Sequence, residues 1–173
     1  MARKSKKSKK VCLTNELIRD SSRSDRELAK IVGVCQPTVS RIKKSLLNEG
    51  IIEGVVAVPN FNKIGYELMA LTFVKIKAVL ASEEERKQNF EKVKKWMSKQ
   101  DDVIFCASCR GLGFHSFFIS LHKNYKAFDA FMKRHDVEIG HELLIDLENI
   151  LVNLDDDQIL KPFNFKYLGE NAL

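Results

Sequence analysis

Pro37, Ser40, Arg41 and Lys44 recur at the three- and four-residue spacing that gathers side chains on one side of an α-helix, with Gln36 in the first turn. Together they offer amide, hydroxyl, guanidinium and ammonium groups, the set with which proteins read base edges in the major groove of duplex DNA. Arg41 carries the planar fork that matches guanine O6 and N7, whereas Thr38 and Lys43 suit phosphate oxygens. Val39, Ile42 and Leu46 fall on the opposite side of the same helix, so the polar side faces out only if the apolar one is buried.

Something must bury it. Ser24 with Glu27 three residues on forms a capping box, and a helix is expected from about Asp25. Leu28, Ile31 and Val32 share a face, and Gly33 stands where a helix ends in the left-handed conformation that glycine tolerates. Pro37 then sits in the first turn of the second helix, where a missing N–H costs nothing, and that helix runs to about Asn48. Leu13, Leu17 and Ile18 give a short preceding helix to pack on both. Residues 51–58, IIEGVVAV, read as a wing with Gly54 near its tip, and Pro59 to Gly65 as a linker, because Pro, Asn and Gly cluster there.

Small Ala29 where the two helices cross, Gly33 at the turn, and Val39 and Ile42 as anchors match the spacing of a helix-turn-helix. The string VGVCQPTVSRI followed by NEGIIEGVVAVPNFNKIGY resembles the recognition helix, wing and linker of the Lrp/AsnC (leucine-responsive, feast/famine) regulators. Two positions depart from that pattern. Cys35 stands where the family usually has a serine cap, and Ile42 where a second arginine often follows Arg41, which implies weaker capping and a less basic reading surface.

Charge follows the same division. The 173 residues carry a net +6. Residues 1–10 hold six Lys or Arg and no acid, residues 11–48 a net +3, and residues 49–173 a net −3. Positive charge concentrated on the helix-turn-helix end suits phosphate binding by counterion release. The opening ten residues are expected to be a basic disordered tail, with a nonspecific DNA-binding arm as the alternative. At 45% hydrophobic residues the chain can build cores, and no apolar run approaches the ~20 residues of a membrane span. No secretory signal is apparent, so the cytoplasm is the expected compartment. Cys12, Cys35, Cys106 and Cys109 are then expected as reduced thiols. Cys106 and Cys109 have knuckle spacing, but within a strand they point to opposite faces, as do His115 and His122, so no metal site is expected.

From Glu67 the pattern alternates. ELMALTFVKIKAV reads as a strand, and Ser82 with Glu85 caps a helix to Lys99 that carries Phe90, Val93 and Met97 on one face. VIFCASC and FHSFFISLH read as strands, NYKAFDAFMKRH as a helix with Tyr125, Phe128 and Met132 inward, and ELLIDLENILVNL as a last strand. The order β-α-β-β-α-β usually gives a ferredoxin-like sheet with both helices on one face. The expected fold is therefore α+β: a winged helix-turn-helix over residues 11–59, a linker over 60–66, a ferredoxin-like domain over 67–156 and a tail over 157–173. Phe117, Ile119 and Leu121 point one way along their strand, and Phe114 and Phe118 the other. Both faces are thus apolar, and helices cover only one. A second copy of the sheet would bury the other and give a two-fold dimer suited to a palindromic operator. The alternative cover is the tail KPFNFKYLGENAL.

The resemblance to Lrp/AsnC regulators implies more than DNA binding. Family members commonly bind an amino acid near the loop between the second and third strands of the second domain. Here that loop is CRGLGFH, where Arg110 would meet a carboxylate, Gly111 and Gly113 would let a small ligand approach, and His115 stands nearby; a plain glycine-rich hairpin turn is the alternative. Sirohaem decarboxylases share this two-domain architecture, so an enzyme is the rival class, and a protein-interaction module is the third. Four scattered histidines, with no nucleophile motif and no phosphate loop, favour a regulator without catalytic activity or cofactor.

Overall fold

A computed structural model describes residues 8–77, 82–140 and 144–171. The described residues separate into two compact units. The first runs to Val58 and takes in the chain again from Lys161; the second spans Pro59–Leu160.

The first unit is built on three helices: α1 (Lys9–Arg19), α2 (Asp25–Val32) and α3 (Gln36–Asn48). Leu13, Leu17, Leu28, Ala29, Val32, Val39 and Leu46 form its buried core, with Cys12, Val34, Ile42 and Ile52 packed around them. Ile31, expected inward, is 52% exposed. Helix α1 starts at Lys9, inside the stretch expected as a tail, because Ser8 caps it by accepting from the Val11 N–H. Lys9 and Lys10 are tied into the unit: Lys9 Nζ donates to the Val32 carbonyl at 2.6 Å, and Lys10 pairs with Glu49. Residues 1–7 of the expected tail lie outside the described residues.

Residues 51–58 form no strand. Strand hydrogen bonds need a partner, and none pairs with this segment among the described residues, which leaves Val55, Val56 and Val58 exposed. The C-terminal segment ends in a single turn, α6 (Leu168–Asn171), that packs against α1. Gly169 lies there so close to α1 that a Cβ would come within 2.6 Å of the Asn15 carbonyl oxygen. The tail, read as the alternative cover of the sheet, thus has its described end packed within the first unit.

The second unit is a four-stranded antiparallel sheet of β1 (Leu68–Ile76), β2 (Val103–Gly111), β3 (Phe114–His122) and β4 (Leu144–Asn153), ordered β2-β3-β1-β4. Helices α4 (Glu83–Met97) and α5 (Tyr125–His135) cover one face, where Val74, Trp96, Phe118, Phe131 and Ile139 are buried together. Ser82 and Glu85 make the expected capping box on α4. The inward face of α4 centres on Trp96, with Val93 and Met97 beside it, while Phe90 is 58% exposed. On α5 the buried residues are Phe128, Phe131 and His135, and Tyr125 is exposed. In both helices the inward stripe is rotated from the expected one because aromatic rings one position away fill the space over Phe118. Residues 78–81 and 141–143, at the ends of the first and last expected strands, lie outside the described residues.

The opposite face of the sheet is apolar and only partly covered. Phe61, Tyr66, Leu154 and Ile159 pack over Met69 and Leu121 at one end. Toward the other end the rings of Phe105, Phe117, Phe73 and Phe114 run in series, with centroids 5.6, 6.0 and 5.4 Å apart. Phe114 thus stands with Phe117 rather than with Phe118 as the alternation predicts. Regular pairing of β3 with β1 ends at Ser116, and the Ile76 N–H donates to the His115 ring instead of to a strand carbonyl. The edge of this face is open: Phe105 and Ile150 are about half exposed.

Two histidines are enclosed under the helices. His122 shares a hydrogen bond with Ser120 at 2.8 Å, and His135 stands edge-on to Trp96 with Nδ1 buried and without a hydrogen-bond partner among the described residues. Burial holds the pKa of both rings below the ordinary histidine value. A group depressed in the folded state binds its proton more readily when unfolded, so stability is complete above about pH 6.5 and falls as pH drops through and below that value. Chemical denaturation should show an earlier midpoint at pH 5 than at pH 7.5, and His135→Leu should lessen the difference.

Candidate nucleic-acid interface

The geometry of α2 and α3 follows from local chemistry at their ends. Ser24 Oγ accepts from the Glu27 N–H, and Glu27 accepts from the Ser24 N–H at 2.8 Å, so orphan donors at the start of α2 are satisfied. Gly33 adopts φ 68° and closes α2 by donating to the Ala29 carbonyl at 2.9 Å. At that φ an L side chain is strained, and a Cβ would also crowd the Lys9 ammonium at 3.3 Å. Helix α3 then departs from Cys35, with Pro37 in its first turn.

Burial sorts α3 as its sequence predicts. Val39 and Leu46 are buried and Ile42 is packed against the core, while Gln36, Pro37, Ser40, Arg41 and Lys44 are exposed and Thr38 and Lys43 half-buried. Five of the seven expected contact residues are therefore exposed on α3, and Thr38 and Lys43 lie on the two flanks of its buried side. No hydrogen-bond or ion-pair partner among the described residues holds the side chains of Gln36, Arg41 or Lys44. Three of the seven are engaged. Asp25, the first residue of α2, accepts from Ser40 Oγ at 2.7 Å and from Lys43 Nζ at 2.5 Å, and Thr38 Oγ1 lies 3.1 Å from Cys35 Sγ. The Ser40 and Lys43 bonds hold the Asp25 carboxyl below its ordinary pKa, so it is anionic near neutral pH. Asp25 went unassigned in the sequence, where an acid opening a helix reads as a dipole partner.

Cys35 is exposed and forms no side-chain cap on α3. The Thr38 hydroxyl beside it draws its thiol pKa below the usual value.

The second expected site lies on the β2–β3 hairpin. Gly111 pairs with Phe114, and the two turn residues Leu112 and Gly113 both have positive φ, 51° and 79°, the requirement of a type I′ turn. Leu112 is an unusual occupant and is 94% exposed. Arg110 is exposed beside the turn, but His115 turns its ring to the β1 backbone, accepting through Nδ1 at 3.2 Å. The hairpin thus carries Arg110, Gly111 and Gly113 together and directs His115 elsewhere. Lys75, close to Gly113, pairs with Asp146 at 3.0 Å. No cluster of three or more metal-ligating side chains occurs among the described residues, and no described helix is long and apolar enough to cross a membrane.

Comparison with known proteins bears on this geometry. No family model matches the chain. A curated protein of Pyrococcus furiosus, described as an uncharacterized HTH-type transcriptional regulator, is 39% identical over 70 residues, which are 40% of this chain and 47% of that protein. The match thus spans about half the length of that relative. An AsnC family transcriptional regulator from Agrobacterium tumefaciens superposes with TM-score 0.68 at 21% identity, over 84% of this chain and 88% of its own. A transcriptional regulator from Neisseria meningitidis, solved as its complex with L-Met, does so with TM-score 0.70 at 16% identity, over 95% and 99%.

The missing cap of α3 makes a prediction. Ser at position 35 would accept from the Thr38 N–H, so Cys35→Ser should stabilise the chain by about 0.5–1 kcal/mol, seen as a later urea midpoint with unchanged slope. The chain has the fold of the Lrp/AsnC transcriptional regulators.

Proposed function

We propose that this chain is a sequence-specific DNA-binding transcriptional regulator of the Lrp/AsnC type that acts as a dimer or higher oligomer. One observation carries the reading: α3 buries Val39 and Leu46 and leaves Gln36, Arg41 and Lys44 exposed, without side-chain partners among the described residues, on the unit whose described and preceding sequence holds the chain's excess positive charge. Fold likeness to AsnC-type regulators supports the same reading. Arg41 reads guanine, Lys44 and Gln36 flank it in the major groove, and Thr38 and Lys43 lie toward phosphates.

The open sheet face supports self-association. Phe73, Phe105, Phe117 and Ile150 form an apolar surface on the face away from the helices, and a second copy would bury it about a two-fold axis. Two copies would present two α3 helices to half-sites one helical turn, or a multiple of it, apart.

Selection from a random duplex library tests both statements. The expected product is a palindrome bound at least ~10³-fold more tightly than random DNA, with Arg41→Ala losing about 1–3 kcal/mol at one guanine position. A loss equal on all sequences would assign Arg41 to phosphate, and enrichment of nothing would overturn the reading.

For an effector, the candidate site is the β2–β3 hairpin, with Arg110 as carboxylate partner and the Gly111 and Gly113 backbone as the approach surface. The L-Met bound by the Neisseria meningitidis neighbour favours an amino acid as the ligand class. Calorimetric titration with the twenty amino acids should give heat for at least one and none for Arg110→Ala; no heat throughout would count against direct amino-acid sensing.

A further inference from the structure

Asp25 occupies a place the DNA reading leaves unexplained. It is an anion on the surface that is to meet phosphates, and both of its carboxylate oxygens are taken by α3: Oδ2 by the Ser40 hydroxyl at 2.7 Å and Oδ1 by the Lys43 ammonium at 2.5 Å. Ser40 and Lys43 are one helical turn apart, so a single carboxylate spans them and fixes the rotation of α3 about its axis relative to α2. The three groups are not sealed away. Side chains of Asp25 and Lys43 are 25% and 30% exposed, and Ser40 is exposed beside Arg41 and Lys44.

The consequence for Ser40 is specific. A serine hydroxyl has one proton and two lone pairs, and ordinarily rotates to donate or accept as its partner requires. Here the proton is committed. The other acceptor within reach, the Gln36 carbonyl, lies at 3.4 Å, and the charged oxygen at 2.7 Å holds the proton more strongly. What Ser40 shows to the outside is its lone pairs alone. In the major groove an acceptor finds a partner only on a base that presents an amino group, cytosine through N4 or adenine through N6.

We infer that Asp25 is a specificity-determining residue: by holding the Ser40 proton it makes Ser40 a reader of amino-bearing bases, and by pairing with Lys43 it withholds one positive charge from the DNA backbone. The assignment rests on the DNA-binding reading above and adds to it a residue that touches no DNA itself. Asp25 trades general affinity for discrimination. Lys43, assigned above to phosphates together with Thr38, is partly neutralised, while Ser40 is given a fixed polarity.

Asparagine at position 25 separates these effects. It keeps the shape but offers one carbonyl oxygen and one NH₂ group in place of two anionic oxygens. Lys43, a donor only, takes the oxygen. Ser40 then accepts from the NH₂ group, and its own proton turns outward toward base acceptors, guanine N7 or O6, thymine O4 or adenine N7, so that adenine loses its advantage over guanine and cytosine is disfavoured. The experiment selects bound duplexes for the full-length wild type, Asp25→Asn, Ser40→Ala and the double variant, and titrates each winner against salt, with melting curves to confirm folding.

The wild type is expected to prefer adenine or cytosine at one position by about fivefold, the value of one hydrogen bond of about 1 kcal/mol. Asp25→Asn should lose or reverse that preference, bind random DNA more tightly, and steepen the salt dependence by about one phosphate contact. Ser40→Ala should lose the same preference with no reversal, and the double variant should match it at that position. A wild type that selects a site while Asp25→Asn keeps both its base preference and its salt slope would overturn the assignment and leave the DNA reading standing. Should Asp25→Asn fail to fold, the assignment stands or falls on Ser40→Ala: loss of an adenine or cytosine preference supports it, and loss of a guanine or thymine preference, or of none, overturns it. A wild type that selects nothing overturns both.

Discussion

The seating of α3 against α2 is the constraint on which the rest depends. A helix can present a polar reading surface only if its other side is held at a fixed rotation, and burial of Val39 and Leu46 among Leu13, Leu28 and Val32 supplies the driving force. Apolar contact is non-directional, however, and does not by itself set which polar groups point outward. Directionality comes from the ends and edges: the left-handed Gly33 that ends α2, the Lys9 ammonium on the Val32 carbonyl, and the Asp25 carboxylate across Ser40 and Lys43. These polar contacts are partly exposed and individually modest in stability. Their importance lies in orientation.

The second unit solves a different problem with similar means. Its sheet has two apolar faces, and α4 and α5 cover one of them by packing Trp96, Phe131 and His135 around Phe118. The other face is closed at one end by the chain's own Phe61, Tyr66 and Ile159 and carries a series of four phenylalanine rings toward the other. An apolar surface of this kind facing water favours association, and two-fold association is what a palindromic site would demand of a reader with one recognition helix per chain. The proposed association through the sheet and the proposed reading of a palindromic site thus call for the same symmetry.

Much of this was legible in the sequence because it rests on short-range signals. Both capping boxes, the glycine turn at Gly33 and the β-α-β-β-α-β order depend on residues within a few positions of one another. The sorting of α3 into buried and exposed sides needed only its period. What escaped depends on distance in the chain. Asp25 meets residues fifteen and eighteen positions away. The inward turn of Trp96 and the shift of Phe114 to the open face are set by neighbouring elements, and the docking of Gly169 on α1 joins opposite ends of the chain. Residues 51–58 read as a wing with Gly54 near its tip, but a strand exists only where another strand pairs with it.

The claim at the centre of the account is that α3 enters the major groove with Arg41 on a guanine. Methylation interference on a selected duplex tests it directly, since a methyl group on guanine N7 blocks that contact without altering the minor groove. The account predicts that methylation of one guanine in each half-site prevents binding by the wild type and has no further effect on Arg41→Ala. Interference by minor-groove methylation alone, or none at any guanine, would contradict it.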